Sequence, residues 1–154
     1  MRLSGDIRIK AAREKVFQAL RDPRFFASCI EGIRDLKETN ATHYDAVLET
    51  KVAYLQFKFK VKVEFTRLDP PREIEAKIEG TPLGVVGRLT AASRTRLSED
   101  PAGTLVEYEI DTALTGKLGG IGQPVLKSKA KQMEKQFFAR LRAAFEETAP
   151  EKAP

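Results

Sequence analysis

Few residues of this 154-residue chain are equipped for covalent or acid–base chemistry. His43 is the single histidine and Cys29 the single cysteine. A three-histidine zinc site is therefore impossible, no internal disulfide can form, and there is no cysteine cluster for a metal. A Ser–His–Asp triad would have to use His43, which begins a strand after a turn. Ser4, Ser28, Ser93, Ser98 and Ser128 sit in no nucleophile-elbow context. Acid–base chemistry needs a titratable group turned into a dry pocket. The strand acids mostly alternate outward. The inward polar candidates are Tyr54, Ser93, Tyr108 and Thr112, with Gln123 and Lys127 near the start of the last helix, and they form no nucleophile–base pair. Gly116, Gly119, Gly120 and Gly122 precede a helix, but they lack the GxxxxGK[ST] pattern and follow an antiparallel strand, so they are no phosphate cradle. The expectation is a protein with no catalytic residues, no metal and no cofactor.

The charges point away from nucleic acid. The net charge of +5 invites that reading, and Lys58, Lys60 and Lys62 line one face of a strand. The interleaved aromatics face the other way, so bases would have nothing to stack on. The neighbouring strand turns Glu73, Glu75 and Glu79 outward, and Arg94 and Arg96 should lie across from Glu107 and Glu109 as ordinary cross-strand pairs. On the last helix, Lys127, Lys129, Lys131 and Lys135 have only Glu134 among them. That positive flank reads first as a solvated face, and second as a surface for peripheral contact with an anionic membrane or an acidic partner.

The elements that would position all this are one meander and one long helix. Leu3, Gly5, Ile7 and Ile9 alternate with polar residues as a first strand. Glu14 to Leu20 is a short helix broken by Asp22-Pro23, and a second carries Phe25, Phe26 and Cys29 until Gly32. Strands follow over Ile33–Glu38, His43–Tyr54, Gln56–Leu68, Glu73–Thr81, Gly87–Leu97 and Leu105–Thr115. The clearest is Gln56–Leu68, where Phe57, Phe59, Val61, Val63 and Phe65 point one way and Lys58, Lys60, Lys62 and Glu64 the other. From about Gly120 to Glu147 apolar residues recur every three or four positions, from Ile121 and Val125 through Met133 and Phe137 to Leu141 and Phe145. Such a helix is roughly 40 Å long, enough to cross a small domain. The expected fold is α+β: a seven-stranded curved antiparallel sheet wrapped around the C-terminal helix, with two short helices between strands 1 and 2. Residues 1–147 read as one domain and 148–154 as a disordered tail. No stretch is apolar enough to span a membrane and the start lacks a signal peptide's apolar block, so the expected location is cytoplasmic.

With the elements placed, the chain resembles the carbon monoxide dehydrogenase CoxG family, within the START-like (SRPBCC) helix-grip superfamily. The motifs that carry the resemblance are Leu3-Ser4-Gly5, Val16-Phe17-Gln18-Ala19-Leu20-Arg21-Asp22-Pro23, Cys29-Ile30-Glu31-Gly32, Asp69-Pro70-Pro71 and Gly103-Thr104 leading to Tyr108. Gly116-Lys117-Leu118-Gly119-Gly120-Ile121-Gly122 and Phe137-Phe138 complete the set. The family usually has proline where this chain has Glu31, a change at the loop beside the cavity mouth. The resemblance implies an internal apolar cavity between sheet and helix. It also implies association with molybdenum-containing dehydrogenases as an accessory, maturation or quinone-handling factor. It supplies no catalytic residues.

Inward side chains of the sheet could close a core or line a cavity. A curved sheet gripping one helix leaves a gap, and the inward small residues Gly80, Gly87, Ala91 and Gly116 leave room that leucine would fill. The expected lining is Phe26, Phe57, Phe59, Val61, Phe65, Leu89, Tyr108, Leu114, Met133 and Phe137. Leu83 and Gly84 facing Gly119 and Gly120 form the expected gate. The reading is a non-enzymatic binding protein for a hydrophobic small molecule, a lipid or quinone, serving a molybdenum-containing dehydrogenase of the carbon monoxide type. Two alternatives stay open: an accessory or maturation factor acting on such a dehydrogenase through its surface, and a cyclase- or hydrolase-type enzyme using the cavity.

Overall fold

A computed structural model describes residues 1–147, so the tail expected over 148–154 lies outside the described residues. The chain runs β1 (Arg2–Ile9), α1 (Arg13–Arg21), α2 (Pro23–Ser28), β2 (Ile33–Glu38), β3 (His43–Val52), β4 (Leu55–Asp69), β5 (Glu73–Pro82), β6 (Gly87–Asp100) and β7 (Gly103–Gly116). A 3₁₀ segment, Lys117–Ile121, then leads into α3 (Gln123–Glu147). The seven strands form one antiparallel sheet in the order β1-β7-β6-β5-β4-β3-β2. This is the helix-grip arrangement expected from the residues.

Local chemistry accounts for most boundaries. Asp22 ends α1 and caps α2, its carboxylate accepting from the Arg24 amide at 3.0 Å while Pro23 occupies the first helical position. The sheet bends where the β2–β3 register shifts between Arg34 and Lys37, and again where the β4–β5 register shifts between Phe65 and Arg67. Three boundaries differ from expectation. The final α-helix starts at Gln123, because Gly122 takes φ +100° and Pro124, which lacks an amide hydrogen, fits only a first turn. β3 ends at Val52, which pairs with Leu55 across the two-residue turn Ala53-Tyr54. Tyr54, expected inward, is therefore a turn tip and 86% exposed. β6 and β7 run on to Asp100 and Gly103, because the Asp100 carboxylate accepts from the Ala102 amide at 3.2 Å and closes a tight turn.

The outer face is a lattice of exposed ion pairs. Arg94 and Arg96 do stand opposite Glu109 and Glu107 in register. Their guanidinium groups nevertheless reach the other neighbouring strand, Arg94 to Glu75 at 3.1 Å and Arg96 to Glu73 at 3.7 Å. His43 is exposed in the β2–β3 turn with its Nδ1 2.8 Å from Thr42 Oγ1.

The inner face closes in two places. At the α1 end, Phe17, Ile9, Val16, Phe65, Ile74, Leu97, Val106 and Leu141 pack as one buried cluster. At the opposite rim, Val52, Phe57, Phe59 and Leu118 form a second, supported by Val61, Leu114 and Leu126. The last helix is thus fastened near both of its ends.

Candidate functional site

Between the two clusters lies a belt of inward side chains that retain solvent exposure. Ile78, Ala91 and Thr112 stand side by side across β5, β6 and β7, with Ser93 and Ile110 beside them. All five are half-buried, as are Ala130, Met133 and Glu134 on α3, and none belongs to either closed cluster. The belt is rich in small side chains for a reason visible in the pairing. Gly5 stands opposite Tyr108, and a Cβ at Gly5 would lie 2.5 Å from the Tyr108 hydroxyl oxygen. Glycine there lets the Tyr108 ring lie back over β1, where its ring meets Phe138 edge-on at 5.2 Å.

The ten residues expected to line a cavity are divided by this geometry. Phe57 and Phe59, stacked at 5.8 Å, are buried in the rim cluster with Val61 and Leu114 packed against them. Phe65 is buried in the other cluster, 5.9 Å from Tyr44 and with Phe137 packed against that cluster. Phe26 lies on Phe137 with ring centroids 4.9 Å apart. Leu89, Tyr108 and Met133 are half-buried on the belt or its edge, Leu89 opposite Leu114.

The expected gate residues are brought together. The Lys117 amide donates to the Val86 carbonyl at 2.9 Å, and Gly87 pairs with Gly116, which joins the β5–β6 loop to the 3₁₀ segment. A Cβ at Gly116 would meet the Val86 carbonyl at 2.7 Å, so only glycine permits this approach. Leu83, Gly84, Gly119 and Gly120 are all exposed along the seam, over the buried Leu118.

A groove of about 300 Å³ opens beside α3, lined by Glu31, Glu49, Lys51, Lys129, Met133 and Gln136 among others. Its polar walls surround Met133, which lies on the apolar stripe of the helix. One wall is held by paired contacts. The Glu31 amide donates to Gln136 Oε1 and Gln136 Nε2 donates to Glu31 Oε1, both at 3.4 Å. Arg140 donates to the Ser28 carbonyl at 3.2 Å. Glu31, where the family pattern has proline, thus ties the connector after α2 to the helix. A second hollow of about 260 Å³ lies at the far end, between Arg8, Lys10, Arg142 and Phe145.

Glu134 is the polar residue that sequence reasoning passed over, counted with the lysine flank. Its spacing from Ala130, Phe138 and Leu141 places it on the inner stripe, and that i, i+4, i+7 pattern was the available signal. Burial pushes its carboxyl above the ordinary carboxylate range. Because the folded chain then holds the proton more tightly than the unfolded chain, stability falls as pH rises from the ordinary range through the raised value. Glu134→Gln is expected to flatten that part of the stability profile and raise Tm at neutral pH, read by thermal melts from about pH 4 to 7. Burial likewise pushes the Tyr44 hydroxyl up to about 12. Among the described residues, no three His, Cys, Asp or Glu side chains are grouped to hold a metal. No helix of the described residues is long and apolar enough to cross a membrane.

The family model for carbon monoxide dehydrogenase CoxG matches residues 5–145. No curated protein matches the chain. Among solved structures, a conserved protein from Geobacillus kaustophilus is similar at 25% identity and TM-score 0.87, over 96% of this chain and 97% of that one. Protein CV1439 from Chromobacterium violaceum matches with TM-score 0.69 at 15% identity, over 94% and 97% of the two chains. Ara h 8.0201 matches with TM-score 0.67 at 12% identity, over 96% and 99%. The last two likenesses speak to the fold alone.

Proposed function

The chain belongs to the carbon monoxide dehydrogenase CoxG family, and from that membership we propose that it is a non-enzymatic binding protein for a hydrophobic small molecule of the lipid or quinone class. The molecule sits between the sheet and α3, and the protein serves a molybdenum-containing dehydrogenase of the carbon monoxide type. The observation that carries this reading is the belt. Inward-facing Ile78, Ala91, Ser93, Ile110 and Thr112 keep solvent exposure between two closed clusters, where a close-packed interior would have covered them.

Affinity comes chiefly from apolar burial. Covering about 300 Å² of ligand surface at about 25 cal/mol per Å² supplies roughly 7 kcal/mol before ordering costs. Tyr108, Ser93, Thr112 and Glu134 are the polar groups that would orient a head group. The polar groove around Met133 is the entry, at about 300 Å³ large enough for a ring or head group and too small for a whole lipid. The lining is then Leu89, Tyr108, Met133 and Phe137 with Phe26, backed by Phe57, Phe59, Val61, Phe65 and Leu114. The Leu83-Gly84 and Gly119-Gly120 seam is the gate.

Native mass spectrometry of the gently purified protein tests the proposal. The expected result is a complex that releases a stoichiometric lipid or quinone on denaturation. A clean apo mass, unchanged by added quinones and lipids, overturns it in favour of an accessory factor that meets the dehydrogenase through its surface.

A further inference from the structure

We propose that the rim formed by the β3–β4 turn, the β5–β6 loop and the 3₁₀ segment docks on an anionic lipid bilayer. Among the described residues, the large apolar side chains left exposed are Tyr54 at 86%, Val86 at 76%, and Leu55 and Leu83 at 47% each. The sheet topology puts all four at one end. Tyr54 and Leu55 form the β3–β4 tip and Leu83 and Val86 the β5–β6 tip. The two tips are tied together, because the Leu83 amide donates to the Lys58 carbonyl at 2.9 Å, and Val86 is tied in turn to Lys117 at 2.9 Å. Scattered apolar side chains on a surface need no explanation, but four confined to adjoining tips mark an interaction site.

Charge identifies the partner. Residues 50–59, 80–88 and 115–129, which build this rim, contain Lys51, Lys58, Arg88, Lys117, Lys127 and Lys129 and no aspartate or glutamate. None of these six cations is ion-paired among the described residues, whereas the arginines of the outer face are laced to carboxylates. Protruding apolar tips ringed by unpaired cations match a surface with a negative face and a soft apolar interior. Tyr54, apolar in its ring and polar at its hydroxyl, suits the head-group level. This surface differs from the Lys131–Lys135 flank of the helix, and it does not depend on the cavity: a chain with a filled core would dock the same way.

Flotation with phosphatidylcholine vesicles containing roughly a third phosphatidylglycerol tests the docking. The expected result is binding to these vesicles but not to phosphatidylcholine alone, weakened at least about tenfold when salt rises from about 0.1 to 0.5 M. Leu83→Ser with Val86→Ser, and separately Lys51→Glu with Lys117→Glu, should each reduce binding about tenfold or more with unchanged melting, since these side chains are exposed. The chain has no tryptophan, so Leu83→Trp supplies a single emitter that should shift to the blue on vesicles and be quenched by brominated lipid. The proposal is overturned by absence of binding, or by binding that the tip variants leave intact. It is equally overturned by tip-dependent self-association in sedimentation without vesicle binding, or by the same rim binding an acidic protein while vesicles fail to compete.

Discussion

Ala91→Phe is expected to weaken binding of a hydrophobic probe, decylubiquinone or a fatty acid, by at least about tenfold while leaving the Tm of the empty protein unchanged or higher. Ala91 points inward from the middle of β6, with Ile78 on one side and Thr112 on the other, and it is half-buried. Two outcomes of opposite sign separate a gap from a core. In a filled interior an added ring would overpack and cost about 1–3 kcal/mol, or roughly 2–12 °C at 2–4 °C per kcal/mol for a chain this size. In a gap the ring finds room, covers apolar surface, and takes the place of the ligand. Ala76→Phe is the matched control. Ala76 is also inward but is buried at 7% in the α1-end cluster beside Phe65, and it should show the overpacking loss. If Ala91→Phe loses as much Tm as Ala76→Phe, the belt is core and the carrier reading fails.

The fold was legible because its signals are local. Alternation through Phe57–Phe65 set which face of β4 is inward, and Asp22-Pro23 marked the break between the short helices, with the capping bond the structure confirms. Where reading stopped short, the deciding interaction was long-range or conformational. Gly122 looks like its neighbours Gly119 and Gly120, but only its φ of +100° ends the 3₁₀ segment and starts α3 one residue later. Tyr54 continues the alternation of β3 on paper, yet the pairing of Val52 with Leu55 turns the chain before it. Inward residues could be named from the period of two. Which of them would be sealed depended on where the helix is fastened, and that follows from Leu118 and Leu141 meeting strands far away in sequence. Glu134 was misplaced for the opposite reason: its charge suggested the lysine flank, and its spacing along the stripe carried the better information.

Leu141→Ala is expected to cost about 2–5 kcal/mol, among the largest losses any single truncation in this chain can give. Leu141 is fully buried, and in the α1-end cluster it ties α3 to β1, β6 and β7 through Ile9, Leu97 and Val106. Leu118→Ala at the other end, 2% exposed and packed with Phe57 and Phe59, should cost a similar amount. The two sites are separated by most of the helix length, so the losses should add. Their sum, about 4–10 kcal/mol, approaches the whole stability of an ordinary domain, and the double variant should populate the unfolded state without denaturant. Met133→Ala, half-buried in the middle of the same helix, should cost less than about 1 kcal/mol. Urea unfolding of the three single variants measures the profile directly, with the midpoint shift at constant m reporting each loss. A helix packed along its full length would give a large loss at all three positions. Large losses at the ends with little at Met133 describe a helix anchored twice and spanning a space between, and that mechanical arrangement lets a ligand enter without unfolding its host.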